Sequence, residues 1–258
     1  MSMKDERNQS LQRFFHEYLE SIGSNGVLGV ASYQTVYNEL MQQQKEYLDK
    51  TVPYEQDHLL RSGSIISIGI TYDDKAIDAI SKSANGSIDF NLWNVYAREY
   101  GRLNETLNEL AQAIADEFDG FPITATLQGL TGTVKHVTDY YGLTISHRVV
   151  AEHAGLGWRG KNGLIINENY SCALRFASIV TPVHFEPGTR MNSMCDDCTA
   201  CEDVCSFIKH RDELPNYREN CRRYLVYLQS QGMENEVCGK CIRACYRDSI
   251  FSGHFRLE

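Results

Sequence analysis

The chain has 258 residues, of which 42% are hydrophobic, and its formal net charge at pH 7 is −9. This length allows one large domain and one small domain, and the apolar content is sufficient for a core without covalent cross-links. The acidic balance argues against an extended nucleic-acid-binding surface, which needs clustered lysine and arginine. No apolar run reaches the roughly 18 residues that span a bilayer, and the N-terminus has no apolar signal segment. We therefore expect a cytoplasmic protein with no membrane association and with reduced thiols.

Helices and strands interleave along the first three quarters of the chain. Leu11, Phe14, Phe15 and Leu19 form an apolar stripe that predicts an N-terminal helix. Residues 64–72 are a continuous apolar, β-branched run that predicts a buried strand, and residues 103–118 have the clearest helical periodicity. Further strands are predicted at 121–127, 164–166 and 177–180. This interleaving predicts an α/β or α+β layer fold.

Eight of the nine cysteines lie between residues 195 and 245, and a Gly/Pro turn at 186–188 precedes them. We therefore divide the chain into a body, residues 1–187, and a cysteine-rich module, residues 188–258. The cysteines of the module form two groups of four. The first group is Cys195, Cys198, Cys201 and Cys205, and the second is Cys221, Cys238, Cys241 and Cys245.

The first group has the spacing C-x2-C-x2-C-x3-C, which is typical of proteins that hold two [4Fe–4S] clusters. In that arrangement the fourth cysteine of a run binds the other cluster, so Cys205 and Cys245 exchange between the groups. The predicted ligands of one cluster are Cys195, Cys198, Cys201 and Cys245. The predicted ligands of the other are Cys205, Cys221, Cys238 and Cys241.

Zinc is the alternative occupant of these cysteines. Two four-thiolate zinc sites would also use eight cysteines. The uninterrupted first run favours iron–sulfur clusters, because structural zinc sites use paired cysteines separated by a longer gap. Cys172 stands alone in an apolar stretch, where a cysteine is usually a small buried hydrophobe, and it is assigned no role.

Residues 154–163 form a glycine-rich segment, AGLGWRGKNG. Gly155, Gly157 and Gly160 allow sharp turns and a close approach of the backbone to a ligand. The segment is not a Walker loop, because Lys161 is followed by asparagine, and it matches the dinucleotide fingerprint poorly. From the pattern alone, a structural turn that packs Trp158 into the core is equally compatible.

Residues 154–167, together with the order of the eight cysteines, resemble the epoxyqueuosine reductases. The resemblance covers nearly the whole chain and is looser in the N-terminal half. It implies a nitroreductase-like α/β body, a C-terminal ferredoxin-like module with two [4Fe–4S] clusters, and a cobalamin between the two parts. Carried over by position, the corrinoid pocket would be lined by Gly155, Leu156, Gly157, Trp158, Gly160, Lys161 and Asn162.

The family also implies a proton donor, an aspartate in an Asp-Ser/Thr-x-Pro motif shortly before the glycine-rich segment. This chain has Asp139 near that place but lacks the proline, so Asp139 is a displaced candidate. Tyr140, Tyr141 and His147 are alternatives, as neutral groups beside a developing anion. The ordinary interpretations are a surface aspartate, packed tyrosines and a solvated histidine.

The resemblance thus implies an oxidoreductase that passes electrons through two clusters to a bound cobalamin or substrate. Its expected partners are an electron donor such as ferredoxin or flavodoxin and a small-molecule or corrinoid ligand. The chain ends 13 residues after Cys245, without the tRNA-binding extension of many family members, so tRNA is a doubtful substrate. The alternatives are a non-catalytic electron-transfer protein of the ferredoxin type and a zinc-binding interaction module. The large body favours the reductase, because a simple carrier does not need it.

Overall fold

A four-stranded antiparallel sheet forms the centre of the body in a computed structural model, which describes residues 3–52, 57–81, 87–125 and 134–249. The order of its strands is β1-β2-β6-β3. Two very short strands, β4 and β5, pair separately. The strands are β1 (Gly26–Ser32), β2 (Ser64–Thr71), β3 (Phe121–Ile123), β4 (Trp158–Arg159), β5 (Ile165–Ile166) and β6 (Leu174–Thr181).

Helices cover both faces of the sheet and make up most of the module. Those of the body are α1 (Met3–Ser21), α2 (Tyr33–Glu39), α3 (Gln42–Thr51), α4 (Asp57–Ser62), α5 (Asp74–Asp78), α6 (Phe90–Glu117), α7 (Val137–Tyr140) and α8 (His147–His153). Those of the module are α9 (Ala200–Val204), α10 (Ser206–Lys209), α11 (Tyr217–Ser230) and α12 (Lys240–Asp248). Within the described ranges, no helix has the length and apolar character needed to cross a membrane.

Strand β2 explains the uninterrupted apolar run at residues 64–72. It lies between β1 and β6, and its residues up to Ile70 are buried. Ile66 and Ile68 belong to the core under α1 and α6, whereas Ile65 belongs to the core under α2 and α8. A strand covered on both faces needs apolar side chains at every position, so the predicted buried strand is confirmed.

Helix α6 begins 13 residues before the predicted helical segment, at Phe90, and ends one residue before the end of that segment, at Glu117. The Asp89 carboxylate accepts the backbone N–H groups of Asn91 and Leu92, which satisfies two donors of the first turn. The predicted strand at 121–127 is shorter in the structure, because β3 ends at Ile123. Positions 126 and 127 of that predicted strand lie outside the described residues.

One apolar core crosses the boundary at residue 187. Leu228 and Val237 of the module belong to the same buried cluster as Trp93 and Tyr96 of the body. The body and the module therefore share a core, although the chain divides between them in sequence.

The mixed α/β character predicted from the sequence is confirmed.

Candidate metal centre

Four cysteines from two distant parts of the chain line one pocket. Cys195 and Cys198 lie in the segment that leads into α9, and Cys201 lies within α9. Cys245 comes from α12, which packs against α9. The remaining lining residues are Lys161, Asn162, Ile166, Ala200 and Ser249. The pocket thus brings together the four cysteines that are the predicted ligands of one cluster.

The electrostatics of this pocket disfavour four bare thiolates. Burial and the charges of neighbouring groups, Cys245 foremost, raise the pKa of the Cys201 thiol to about 12. A positively charged metal centre would remove this repulsion and hold the thiols deprotonated. In the part of the chain that the structure describes, no group of three or more His, Cys, Asp or Glu side chains is arranged to hold a single metal ion.

The other four cysteines also approach one another. The sulfur of Cys241 is buried, and it lies within electrostatic reach of Cys238, Cys221 and Cys205. Cys205 stands between α9 and α10, where it is the N-terminal cap of α10. Cys238 precedes α12 and accepts the backbone N–H of Lys240. Cys241 also lies within electrostatic reach of Cys201 of the first set, so the crossed assignment of the eight cysteines to two clusters stays a prediction.

The end of the glycine-rich segment is a wall of the first cysteine pocket. Lys161 Nζ donates to the carbonyl oxygen of Cys198 at 2.9 Å. Asn162 Nδ2 lies 3.5 Å from Cys172 Sγ. Both residues line the pocket, so they contact the cysteine module.

The first part of the glycine-rich segment, residues 155–160, is packed against other parts of the chain. A Cβ on Gly155 would lie 2.8 Å from the carbonyl oxygen of Thr189, and one on Gly157 would lie 2.1 Å from that of Ile166. A Cβ on Gly160 would meet the Ile166 side chain at 2.8 Å. Leu156 and Trp158 are themselves buried. The predicted role of residues 155–160 as a corrin-lining surface does not fit, because protein atoms fill the space beside the glycines.

Asp139 caps a helix. Its carboxylate accepts the backbone N–H groups of His136 at 2.9 Å and Lys135 at 3.0 Å, at the start of α7. These hydrogen bonds, the one from His136 foremost, lower the pKa of the carboxyl group. Asp139 is therefore ionised at neutral pH, and its predicted role as a proton donor does not fit this geometry.

His147 lies in the interior. Its Nδ1 is 2.8 Å from Ser178 Oγ, and its Nε2 is 2.9 Å from the carbonyl oxygen of Thr124. Since the carbonyl can only accept, Nε2 carries the proton and Nδ1 accepts from the serine hydroxyl. Burial lowers the pKa of His147 to about 4. Neither a solvated nor a proton-donating histidine fits, because both ring nitrogens are used inside the core.

Tyr140, the last residue of α7, and Tyr141, its C-terminal cap, have different hydrogen-bonding surroundings. Tyr141 Oη accepts a hydrogen bond from Arg218 at 3.4 Å. Tyr140 Oη is buried and has no hydrogen-bond partner among the described residues. Burial raises the pKa of Tyr140 well above its usual value, so the phenol keeps its proton. Tyr140 therefore has a hydroxyl that is free to donate to a ligand.

A half-buried arginine among tyrosines lies next to Tyr140. The Arg175 guanidinium sits 4.2 Å from the centre of the Tyr100 ring and donates two hydrogen bonds to Asn104 Oδ1, at 2.8 and 3.1 Å. Arg175 is also within electrostatic reach of Tyr140, Tyr72 and Tyr96. We name Tyr72, Tyr96, Tyr100, Tyr140 and Arg175 the arginine–tyrosine cluster.

The arginine–tyrosine cluster adjoins the second group of cysteines. Tyr72 and Tyr96 stack with ring centres 5.0 Å apart, and their hydroxyls are 3.3 Å apart. Tyr96 in turn lies within electrostatic reach of Cys241. Aromatic side chains thus extend from the cysteines into the body.

No protein-family model matches the chain. An epoxyqueuosine reductase of Lactococcus garvieae is 30% identical over 210 residues, which are 76% of this chain and 54% of that protein. The chain is a relative of the epoxyqueuosine reductases. It spans about half the length of this relative.

Two crystal structures of epoxyqueuosine reductases also match. A selenomethionine-labelled structure has a TM-score of 0.49 and 18% identity, over 97% of this chain and 68% of that chain. A structure with an epoxyqueuosine-modified tRNA stem loop has a TM-score of 0.45 and 22% identity, over 78% of this chain and 52% of that chain. Both TM-scores lie below 0.5.

Sequence reasoning missed the arginine–tyrosine cluster, although one signal was present. Arg175 is the single charged residue of strand β6, LRFASIVT, whose other residues are almost all buried. A charge in such a strand needs compensating partners, since burying it alone is costly. Two of the partners, Asn104 and Tyr100, lie more than 70 positions earlier in the chain, so only the fold reveals them.

Proposed function

We propose that the chain is an iron–sulfur reductase that carries electrons singly through two [4Fe–4S] clusters to an acceptor in the body. Cys195, Cys198, Cys201 and Cys245 would hold one cluster. Cys205, Cys221, Cys238 and Cys241 would hold the other. The observation that carries this proposal is the pocket that joins Cys245 to three cysteines at least 44 positions earlier.

The arrangement of the module supports a ferredoxin-like unit. In each half, a Cys-x2-Cys pair leads into a short helix that ends near the exchanged cysteine, namely α9 with Cys205 and α12 with Cys245. The two helices pack against each other. This pairing supports the crossed assignment, in which each exchanged cysteine belongs to the opposite group. A nitroreductase-like body is proposed from the resemblance, and the helix-covered sheet is compatible with it.

A reductase is favoured over a simple carrier by the arginine–tyrosine cluster. It lies beside Cys241 and contains the half-buried cation of Arg175 and the unpaired hydroxyl of Tyr140. A cation and a neutral phenol can stabilise and protonate an anion that forms as electrons arrive. We propose that the acceptor binds here, because a carrier needs no such groups behind its clusters.

The acceptor class is proposed from the relatives, which are named epoxyqueuosine reductases. We propose reduction of an epoxide, and a modified tRNA stem loop like the one in the related crystal structure is the substrate to test. A bound cobalamin would supply a metal that accepts single electrons. Residues 155–160 do not fit a corrin, so no step is assigned to it.

The metal content of anaerobically purified protein tests the clusters. We expect a brown protein with about eight irons and about eight sulfides per chain, as two cubane clusters contain. Cys245→Ala should lose one cluster and leave the other. A colourless protein that holds two zinc ions would show that the alternative occupant is the right one.

Single-turnover assays separate the reductase from the carrier. Protein reduced with dithionite should reoxidise when the epoxide-containing stem loop is added, with formation of reduced product. A parallel titration with cobalamin shows whether a corrinoid binds. Reoxidation by a generic one-electron acceptor, with neither substrate turnover nor cobalamin binding, would support the carrier instead.

A further inference from the structure

The turn between β5 and β6 reaches into the first cysteine pocket. Ser171 is fully buried, and its hydroxyl donates to Cys245 Sγ at 3.2 Å. Its backbone has a φ of +50°, the left-handed region that non-glycine residues seldom adopt. Reciprocal backbone hydrogen bonds with Asn167 hold the turn in this conformation. A strained, fully buried serine aimed at a cysteine ligand indicates a specific role.

The next residue, Cys172, adds to the same contact. Both its thiol and its backbone N–H are within hydrogen-bonding reach of Cys245 Sγ. Asn162 Nδ2 donates to Cys172 Sγ from another side at 3.5 Å. The S–H of Cys172 has two acceptors within reach, Cys245 Sγ and the carbonyl oxygen of Ile242 at 3.9 Å. Cys172 is buried and is not one of the eight predicted ligands. The lone cysteine of the body is therefore a neighbour of a ligand.

Hydrogen bonds to a sulfur ligand stabilise the reduced form of an iron–sulfur cluster more than its oxidised form. One-electron reduction adds a negative charge that spreads onto the sulfurs, and donors directed at a sulfur stabilise that charge. They therefore raise the reduction potential of the cluster that the sulfur binds. Of the two proposed clusters, the one that Cys245 completes would receive this effect.

We propose that Ser171 and Cys172 are positioning residues that raise the reduction potential of the cluster bound by Cys195, Cys198, Cys201 and Cys245. The inference rests on the proposed function, because it needs that cluster. Residues of the body, in the turn before β6, would then influence the reduction potential of a cluster in the module. No bond forms or breaks in this role, since the cluster takes and gives one electron.

Redox titration of the whole chain with dithionite and mediators, followed by electron paramagnetic resonance, tests this. In Ser171→Ala and in Cys172→Ala, we expect one of the two midpoint potentials to become more negative while the other stays unchanged. Cys172→Ser keeps a donor and should restore part of the shift. Iron and sulfide contents should equal those of the wild type in all three variants.

Ser67→Ala is the matched control. Ser67 is a fully buried serine in β2 whose hydroxyl has no hydrogen-bond partner among the described residues, so its removal should change neither potential. Wild-type protein without clusters would refute the proposed function itself. Intact clusters with unchanged potentials in both the Ser171 and Cys172 variants would overturn only this inference. Loss of one cluster in these variants would also overturn it and assign them a structural role.

Discussion

The imidazole of His147 lies inside the body with a partner on each ring nitrogen. Because burial lowers its pKa from 6.5 to about 4, the folded chain keeps it neutral where the unfolded chain is already protonated. Its contribution to stability is therefore fully present above about pH 6.5 and is lost as the pH falls toward 4. A shift of this size corresponds to at most about 3 kcal/mol.

We expect His147→Gln to weaken this pH dependence. The glutamine amide can donate to Thr124 and accept from Ser178, but it does not titrate. Denaturant unfolding at pH 7 and pH 4 should show a loss of stability smaller than in the wild type by about 1–3 kcal/mol. His210→Gln changes a half-exposed histidine and should leave the dependence unaltered. Equal pH dependences of stability for the wild type and His147→Gln would show that His147 is not a source of this pH dependence.

Gly157 is a position where the backbone itself excludes a side chain. Its φ is +150°, and a Cβ would lie 2.1 Å from the carbonyl oxygen of Ile166. Gly157→Ala should therefore separate β4 from β5 and destabilise the chain by about 3 kcal/mol or more. Gly142→Ala is the control, because its Cβ would meet its nearest atom at an ordinary 3.6 Å. Thermal unfolding of both variants measures the difference, and equal melting temperatures would refute the expected clash.

At the scale of elements, a buried carboxylate joins α8 to the segment that leads into the module. The side chain of Glu152 is 5% exposed and pairs with Arg159 and with Arg190, the latter at 2.6 Å. Breaking a buried ion pair leaves charges without compensation and typically costs 3–5 kcal/mol. Since both arginines are partly exposed, we expect Glu152→Ala to lower the free energy of unfolding by about 3 kcal/mol, the lower end of that range.

Glu39→Ala provides the comparison for Glu152→Ala. Glu39 also pairs with Arg190, at 3.3 Å, but its side chain is 43% exposed. Water screens such a pair, so the loss should be about 1 kcal/mol or less. Chemical denaturation of the two variants gives the difference directly. If Glu39→Ala costs as much as Glu152→Ala, burial of the carboxylate is not what makes this junction strong.

The elements that were predictable from sequence are those whose pattern is long or uninterrupted. Helix α6 and strand β2 bury a periodic or continuous set of apolar side chains, and both were found. Strand β1 was not predicted, because two glycines in GVLGVAS lower its strand propensity. Its register against β2 stabilises it instead. The helices α2 and α3 were also not predicted, because they are short and tertiary packing rather than a long apolar pattern stabilises them.

At the scale of the molecule, the cysteine spacing predicted that Cys245 lies beside Cys195, Cys198 and Cys201, and these four cysteines do line one pocket. The place of the glycine-rich segment was not predictable. Its family resemblance indicated a corrin pocket, but Lys161 and Asn162 line the first cysteine pocket. Side chains brought together by the fold, such as Arg175 with Tyr100, leave only a weak trace in sequence. A known ligand spacing therefore predicts a site formed across the fold, whereas a cluster such as Arg175 with Tyr100 has no spacing pattern that would indicate it.

The shared core predicts that body and module unfold together. Leu228 of α11 is fully buried in the same apolar cluster as Trp93 and Tyr96 of the body. Leu228→Ala should cost about 2–5 kcal/mol, as large-to-small changes in a core do. The adjacent Tyr227 is 55% exposed, so Tyr227→Ala should cost little.

Two signals report on the two parts during this unfolding. Far-ultraviolet circular dichroism follows mainly the helices and the sheet of the body, and visible absorbance follows the proposed clusters of the module. In Leu228→Ala both transitions should move to lower denaturant concentration by the same amount, because side chains from both parts fill one core. A shift of the cluster signal alone would mean that the module unfolds independently. In that case residue 187 would be a boundary in stability as well as in sequence.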